Sequence, residues 1–348
     1  MRAVNTTITA VPGIRVGHAT DLEHATGCTI LLVPPSGARC VVDIRGGAPG
    51  TRETALLAEG IERRVNAVLL GGGSAFGLAA ADGVMTWLAE RAIGFPTVTG
   101  PVPIVPAAIL YDLAMGTPTP PDAPMGYAAC ENATDHPIMS GSVGAGTGAT
   151  VGKLFGREAA MQGGVGSAAR RVTVQRRAFT VGALVVVNAV GDIWETATNR
   201  VIAGAHDAEG WLALRRDAPA HSIRASLGAN TTLGVVATDA PLPRKLLTRL
   251  AVSAHDGLAR AIRPAHTIAD GDIIFALTTA KEEVTIGVAD VIALCMAAEQ
   301  AIEAAIVDAV RSAISRADLP AARDLTQTDA APEQSGAASA SLSCVRYL

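Results

Sequence analysis

The sequence predicts a mixed α/β protein in which sheets pack on each other and helices cover the outside. The first reason is the order of the elements: strand-like and helix-like runs mix without the strict alternation of a Rossmann-type sheet. The second is composition, because 49% of the 348 residues are apolar and only 3% are aromatic. Ala, Val, Leu and Ile must therefore build the core. The third is the 36 glycines, which indicate many tight turns and close backbone approaches.

The first 135 residues predict a β-hairpin, a buried strand and three helices. The hairpin is predicted at 28–34 and 40–46, the strand at 65–73, and the helices at 53–64, 74–94 and 124–135. Short β-branched runs separated by Pro, Ser and Gly are typical of a hairpin. Gly94 is the expected end of the second helix.

The rest of the chain alternates between glycine-rich, strand-like and helical stretches. A strand, a sharp turn and a strand are predicted within 176–195, further strands at 231–238 and 272–279, and amphipathic helices at 243–262 and 287–315. Between them, 140–170 is very rich in glycine and 196–228 resembles a mobile surface loop. The last residues, 323–348, are low in complexity and are predicted to be disordered.

Charge and cysteine content exclude several function classes. The net charge of −4 argues against nucleic acid or an anionic membrane as the main partner. No long apolar run free of charges and breakers predicts a membrane span, and the N-terminus lacks the apolar core of a signal peptide. The five cysteines are scattered without a CxxC pair, which favours free thiols over disulfides or zinc ligands. We therefore expect a cytoplasmic protein.

Three short motifs carry weak signals. The stretch 144–153, GAGTGATVGK, fails as a phosphate-binding loop because Thr147 replaces the first glycine and Leu154 replaces the required Ser or Thr. The GGGSAFG stretch at 71–77 predicts either an anion site or tight strand-to-helix packing. The DGD sequence at 270–272 lacks the distal Glu of a calcium loop. Its two carboxylates disfavour each other unless a cation or a shared proton compensates.

The histidines give no sign of a Ser–His–Asp triad. The seven histidines are dispersed, and no Ser, His and Asp residues stand in an obvious triad order. His255 and His266 flank the amphipathic helix and the loop before DGD. We expect both to be structural.

The stretch GANTTLGVVATDAPL, 228–242, places Thr231 and Thr232 at the start of an apolar, β-branched run. An ordinary strand start is one interpretation. The other is that the bond between Asn230 and Thr231 breaks, so that a new chain begins with Thr231. Its hydroxyl would then be the nucleophile and its own α-amine, with an unperturbed pKa of about 8, the general base. Such chemistry requires no histidine.

Eight motifs in the chain occur in an order that resembles one family. They are GIRVGHAT (13–20), RGGAPGTRET (45–54), GGGSAFGLAAADGV (71–84), PAAILYDL (106–113), GSVGAGTGATVGK (141–153), ALVVVNAVGD (183–192), NTTLGVVATDAPL (230–242) and HTIADGDIIFALTT (266–279). Together they resemble the self-cleaving L-aminopeptidase/D-esterase family, the DmpA type. That family includes β-aminopeptidases and nylon-oligomer (6-aminohexanoate oligomer) hydrolases. The resemblance covers about residues 10–315.

The resemblance implies a fold, a cleavage site and an assembly. The implied fold is a four-layer αββα sandwich of the type shared with the ornithine acetyltransferases and similar to N-terminal-nucleophile hydrolases. Cleavage between Asn230 and Thr231 would divide one composite domain into an α subunit, 1–230, and a β subunit, 231–348. The αβ units would assemble into a homo-oligomer, a tetramer or larger.

The resemblance also implies roles for individual side chains. Asn188 matches the asparagine that helps to hold the oxyanion, and Tyr111 matches a tyrosine that lines the pocket beside the nucleophile. Lys153, Asp270 and Asp272 match the lysine and the paired aspartates of the nylon-oligomer hydrolases. The β-aminopeptidases have Ser and Glu in place of the two aspartates. On this view, Lys153 or the Thr231 ammonium supplies the cation that the aspartate pair requires.

The sequence thus predicts an amide hydrolase that requires no metal and no organic cofactor. One prediction is an aminopeptidase, amidase or esterase that acts on small N-terminal residues or β-amino acid amides. The alternative is an endo-hydrolase of 6-aminohexanoate oligomers. The site residues favour the alternative, whereas the GGAPGTRET and GGSAFGLAAADGV text is more similar to the broad aminopeptidase-like group. Acyl transfer, as in the ornithine acetyltransferases, is a third and weaker prediction.

Overall fold

The computed structural model describes residues 5–58, 64–174, 177–207, 210–212, 222–283, 286–316 and 319–325. The strands are β1 (Arg15–Asp21), β2 (Thr26–Leu32), β3 (Ala38–Ile44), β4 (Gly50–Arg52), β5 (Arg64–Val65), β6 (Ala67–Gly71), β7 (Ala107–Ile109), β8 (Thr150–Val151), β9 (Met161–Gln162), β10 (Gly164–Val174), β11 (Arg177–Asn188), β12 (Asp192–Glu195), β13 (Arg200–Ala203), β14 (His206–Asp207), β15 (Gly210–Trp211), β16 (Thr231–Thr238), β17 (Ile262–Arg263) and β18 (Ile273–Thr278). The α-helices are α1 (Thr54–Ala58), α2 (Ala80–Ala89), α3 (Ala123–Glu131), α4 (Arg244–Ala261) and α5 (Val288–Ser312).

Two large sheets form the centre of the molecule. The first has the strand order β1-β2-β6-β7-β4, and the second has the order β10-β11-β16-β18-β3-β5. Neighbouring strands are antiparallel except for β6 with β7 and β16 with β18, which are parallel. The parallel pair β16–β18 lies inside the second sheet, between β11 and β3. Thr231 and Thr232 are the first two residues of β16, and the DGD turn at 270–272 comes just before β18.

Three apolar cores separate four layers. The core between the sheets joins side chains such as Leu31 and Leu70 of the first sheet to Val235 and Phe275 of the second. A second core lies between the first sheet and helices α2 and α3. A third, the largest, lies between the second sheet and helices α4 and α5. The predicted four-layer αββα sandwich is therefore confirmed, and its core is aliphatic, as the low aromatic content requires.

The predicted hairpin at 28–34 and 40–46 is wrong. Strand β2 lies between β1 and β6 in the first sheet, whereas β3 lies between β18 and β5 in the second. Residues 33–37 carry the chain from one sheet to the other. Both strands are buried on two faces: in β2, Ile30 packs toward α2 and α3 while Leu31 packs between the sheets. Strands covered on both faces belong in the middle of a sandwich, which the turn residues between them do not reveal.

Most other elements lie where the sequence predicts them, with the differences given below. Strand β16 matches its prediction at both ends, and α3, α4, α5 and β18 differ from theirs by a few residues at one or both ends. The helix predicted at 74–94 begins as a 3-10 segment, Ser74–Ala79, before α2, and α2 ends at Ala89 rather than at Gly94. The loop predicted at 196–228 contains the short strands β13, β14 and β15. Within that loop, 208–209 and 213–221 lie outside the described residues, as do 59–63 of the first predicted helix and 326–348 of the tail.

Among the described residues, no helix combines the length and the apolar character that crossing a membrane requires.

Candidate active site

The threonine at the head of β16 and the asparagine at the end of β11 meet at one edge of the space between the sheets. On β16, Leu233 and Val235 face the core between the sheets. Side chains on a strand alternate, so Thr231 points to the same side. In the antiparallel register, Asn188 is the direct partner of Thr231. The sheet therefore places a hydroxyl and a carboxamide side by side, and both residues are at least 96% buried.

Two hydrogen-bond donors converge on the carbonyl oxygen of Asn230, which belongs to the peptide bond predicted to be cut. The Thr231 hydroxyl donates to this oxygen over 2.5 Å, and the Gly271 backbone N–H donates to it over 2.9 Å. The parallel pairing of β16 with β18 brings the DGD turn there, since Asn230 and Asp270 form an isolated bridge. A β-carbon on Gly271 would lie 2.7 Å from Thr231 Oγ1. A backbone N–H in this position stabilises negative charge on the oxygen when the carbonyl is attacked.

Asn188 lies beside the bond predicted to be cut, and its side-chain donor is directed at other carbonyl groups than that of Asn230. Its Nδ2 donates to the carbonyl oxygens of Ala229, over 3.2 Å, and Tyr111, over 3.3 Å. Its Oδ1 accepts from the Thr150 backbone N–H and from Lys153 Nζ. The carboxamide is thus held in one orientation, with its donor directed at the Ala229 carbonyl, one residue before the bond predicted to be cut. The contact with Tyr111 also joins the two sheets, because Tyr111 follows β7 of the first sheet.

Lys153 is bonded to neutral oxygens. Its Nζ donates to the backbone oxygen of Asn188 over 2.9 Å, to Asn188 Oδ1 over 2.9 Å and to the Ala229 oxygen over 3.0 Å. Burial lowers the pKa of Lys153 to about 7, against the opposing attraction of Asp270 and Asp112. An amine with a pKa near neutrality can both take up and release a proton, as a general base or acid requires.

Asp270 is a buried carboxyl group in an environment that favours its protonated form. Burial, and next the charge of Asp272, raise its pKa above the ordinary value. Hydrogen bonds oppose this shift: its Oδ2 accepts from the hydroxyl and the N–H of Thr267, and its Oδ1 accepts from the Val190 N–H. A proton on Asp270 relieves the repulsion that two adjacent carboxylates would otherwise suffer.

Asp272 has a partner that sequence reasoning missed. Its Oδ1 accepts from the Thr232 N–H over 2.7 Å, and its Oδ2 accepts from both the N–H and Nδ1 of His266, each over 2.9 Å. The expectation that His266 is merely structural did not foresee this contact. The two residues are six apart and a turn joins them, so neither helical nor strand periodicity relates them. Only the position of His266 close before the DGD motif could have drawn attention to it.

A cavity of about 430 Å³ opens beside these groups. Its walls include Tyr111, Lys153 and Asn230, and the side chains of Arg157 and Arg224 lie among them as well. Tyr111 is 37% exposed, so its side chain is accessible to a bound molecule. The predicted pocket tyrosine therefore does line a pocket, next to the bond predicted to be cut.

Residues 6–321 match peptidase family S58. The chain belongs to this family. It is an amide-bond hydrolase, and the resemblance found in the sequence motifs is confirmed.

Two relatives of this S58 chain bear names that state an activity. An uncharacterized aminopeptidase of Mycobacterium leprae (strain TN) is 46% identical over 308 residues, which are 82% of each chain. A 6-aminohexanoate-oligomer endohydrolase of Kocuria sp. (strain KY2) is 34% identical over 277 residues, 77% of this chain and 73% of the relative. The two names correspond to the two substrate classes that the sequence left open.

Solved structures confirm the fold. The L-aminopeptidase D-Ala-esterase/amidase from Ochrobactrum anthropi, described as a variant of the Ntn hydrolase fold, superposes with a TM-score of 0.72 at 23% identity, over 90% of this chain and 88% of the other. A Burkholderia sp. β-aminopeptidase gives a TM-score of 0.68 at 24% identity, over 89% and 87% of the two chains.

The glycine-rich motifs of the S58 chain serve close packing. A β-carbon on Gly77 would lie 1.9 Å from the Gly72 oxygen, and the Gly73 N–H is bonded to Asp112 Oδ1 over 2.7 Å. The GGGSAFG stretch therefore fits the packing interpretation rather than the anion site. In the stretch that resembles a phosphate loop, a β-carbon on Gly152 would lie 2.1 Å from the Ala205 nitrogen. Both stretches position the walls of the site.

Proposed function

We propose that the chain is a precursor that cuts its own Asn230–Thr231 bond and then uses Thr231 as the nucleophile of an amide hydrolase. The observation that supports this most is the pair of donors, Thr231 Oγ1 and Gly271 N–H, on the Asn230 oxygen. The hydroxyl oxygen attacks the carbonyl carbon and gives up its proton. The carbon–nitrogen bond breaks as the nitrogen gains a proton, and water hydrolyses the resulting ester. Thr231 is left with a free amine and Asn230 with a free carboxylate.

In the proposed mature site, the same groups act on an external amide. When Ala229 leaves, Asn188 Nδ2 loses one of its acceptors and can donate to the oxyanion of a substrate; losing such a donor costs about 3 kcal/mol of transition-state stabilisation. Lys153 exchanges protons with the reacting groups, because its pKa is lowered to about 7. The Thr231 amine takes the hydroxyl proton and passes it to the leaving amine.

We propose amides and short peptides with a small acyl group as the main substrates, in line with the aminopeptidase relative. The second candidate is an oligomer of an ω-amino acid. It is favoured by the combination of Lys153 with Asp270 and Asp272, and by the endohydrolase relative. Arg157 and Arg224 line the cavity and offer partners for the carboxylate that ends such an oligomer.

A denaturing gel tests the cleavage. We expect two bands, the smaller beginning with the sequence TTLG, and a Thr231→Ala protein that stays whole and inactive. Thr232→Val is the matched control, since the Thr232 hydroxyl is buried without a hydrogen-bond partner among the described residues. It should be cut like the wild type. Active protein in a single uncut band, or a cut at another bond, would disprove the assignment of Thr231.

A substrate panel separates the two candidates. The purified protein is incubated with amino-acid p-nitroanilides, with β-amino acid amides and with 6-aminohexanoate oligomers. Turnover of the first two groups supports the aminopeptidase or amidase. Turnover of the oligomers alone would replace it with the second candidate.

We further propose that the αβ units form a homo-oligomer, a tetramer or larger. Val288, Ile292 and Met296 recur every fourth residue on α5 and are each more than half exposed, an apolar stripe that a second copy could cover. The mass in solution, measured by light scattering, tests this; a single αβ unit at micromolar concentration contradicts it.

The cytoplasm is the compartment we propose. Cys28, Cys40 and Cys130 are buried as free thiols, as is usual where the surroundings are reducing. Cell fractionation tests this placement, and recovery of the protein outside the cytoplasm would contradict it.

A further inference from the structure

A chain of polar groups leads from the surface to Asp272 through two histidines. At the outer end, Asp43 Oδ2 lies 3.1 Å from Arg45 Nε. His255 Nε2 donates to the Asp43 backbone oxygen over 3.0 Å. The rings of His255 and His266 then meet edge to face, with their centroids 4.8 Å apart. At the inner end, His266 Nδ1 lies 2.9 Å from Asp272 Oδ2.

The partners of the two rings assign their protons. A carbonyl oxygen only accepts, so His255 carries a proton on Nε2; a carboxylate likewise requires a proton on Nδ1 of His266. The remaining nitrogens, Nδ1 of His255 and Nε2 of His266, are buried without partners among the described residues. Burial lowers the pKa of His255 to about 4, so it contacts His266 as a neutral ring. It braces the second ring without adding a charge.

The backbone of His266 is shaped for the contact with Asp272. His266 has a φ of +58°, a left-handed conformation that is uncommon for residues other than glycine. In this conformation its N–H and its Nδ1 both reach the same carboxylate oxygen. Strain of this kind persists only where the surroundings hold it in place. Two hydrogen bonds to one oxygen are such a restraint.

The other oxygen of Asp272 acts at the nucleophile strand. Asp272 Oδ1 accepts the N–H of Thr232 over 2.7 Å, one residue from Thr231. The Asp272 backbone is fixed separately, since its carbonyl oxygen accepts from the N–H groups of Arg45 and Gly46. The side-chain torsions of Asp272 are restrained by the two hydrogen bonds from His266.

We infer that His266 is a positioning residue: it holds the Asp272 carboxylate so that this group fixes the Thr232 N–H and, through it, the Thr231 hydroxyl at the Asn230 carbonyl. The inference deepens the proposed function and rests on it. His266 touches neither the scissile bond nor the walls of the cavity. Its effect therefore falls on the rate of the chemical step and not on substrate affinity.

Two substitutions at His266 test the inference. His266→Ala removes the side-chain donor, and we expect self-cleavage and kcat to fall about ten- to hundred-fold, the loss expected for one hydrogen bond to a charged group. KM should stay within about two-fold. His266→Asn keeps an N–H donor near the position of Nδ1 and tolerates the left-handed backbone. It should recover most of both rates.

His136→Ala is the matched control, because the His136 side chain is 84% exposed and is not among the residues that line the cavity. A melting curve for each variant separates loss of fold from loss of position. If His266→Ala does not fold, His266→Asn decides: a folded Asn variant with wild-type rates supports the inference. A folded Asn variant as slow as Thr231→Ala overturns it.

The inference is also overturned if His266→Ala cuts itself and turns over substrate at wild-type rates. Equal impairment of the Ala and Asn variants, both folded, overturns it as well, since the donor would then be irrelevant. Failure of the proposed function would appear elsewhere, as a wild-type protein that is active but not cut before Thr231. The outcomes for the two proposals are therefore distinct.

Discussion

Lys153 is an amine at the site that gains and loses its proton near neutral pH. Its pKa is lowered to about 7, so the neutral base grows as pH rises through that value. We expect the rate of self-cleavage to rise over the same range. Lys153→Arg keeps the charge but cannot lose its proton, and should lower the rate about a hundred-fold or more and remove this rise. A pH–rate profile of both proteins checks the prediction; an unchanged profile in the Arg variant contradicts it.

Gly271 supplies a backbone donor at a position that has no room for a side chain. Its N–H reaches the Asn230 oxygen, and a β-carbon there would lie 2.7 Å from Thr231 Oγ1 and 2.8 Å from the Ala48 oxygen. Gly271→Ala should therefore displace the hydroxyl or the donor and slow maturation about a hundred-fold, the scale of losing one oxyanion donor. The uncut fraction on a gel over time measures this. Maturation at the normal rate would mean that the turn shifts freely.

The sequence predicted part of the candidate site and missed the rest for physical reasons. Thr231, Asn188 and Asp272 stand in motifs whose residue types carry chemistry, so the resemblance could single them out. The role of Gly271 depends on the parallel register of β16 with β18, which no local pattern encodes. The role of His266 depends on a left-handed turn. Periodicity and composition cannot predict contacts that arise from strand register or from backbone conformation.

At the scale of elements, α4 and α5 touch through a glycine. A β-carbon on Gly257 would lie 2.3 Å from the Glu299 backbone oxygen. On helix propensity alone, Gly257→Ala should stabilise the protein by about 1 kcal/mol. We expect the opposite sign, a loss of about 1–3 kcal/mol, because the helices must separate. Denaturant unfolding of the uncut Thr231→Ala background measures it, and stabilisation would contradict the close contact.

The strands show where prediction of the fold succeeds and fails. β16 and β18 were predicted almost to the residue because each is a short apolar run between clear turns. The prediction that β2 and β3 form a hairpin was wrong, although both runs are strands. Which strands pair depends on the whole fold and not on the runs themselves. Leu31 and Cys40 share the core between the sheets from opposite sides. Their proximity in the sequence suggested that the two strands pair. Because both faces of each strand are buried, they lie instead in the middle of two different sheets.

At the scale of the whole molecule, Asp192 makes stability depend on pH. Burial raises its pKa to about 7, despite the hydrogen bond from the Ala205 N–H. Between about pH 4 and 7 the folded protein keeps a proton that the unfolded chain releases, so this group lowers stability as pH rises through that range. Asp192→Asn should remove the loss, and its Tm relative to wild type should be higher at pH 8 than at pH 5. Equal differences at both pH values would contradict it.

The central place of β16 and β18 in the second sheet has a consequence for folding and for the association of the two proposed subunits. Both strands follow Thr231 in the chain, yet they lie between β11 and β3, which precede it. A cut before Thr231 would leave two polypeptides in one sheet, with the β16–β18 pair of one held by hydrogen-bond ladders to the other on both sides. They could not separate without dismantling the sheet, and once apart they would have to find each other in a two-body encounter. If the proposed cleavage occurs, the connected chain is therefore the form that folds, and the divided one would keep a shape that a covalent link had first set.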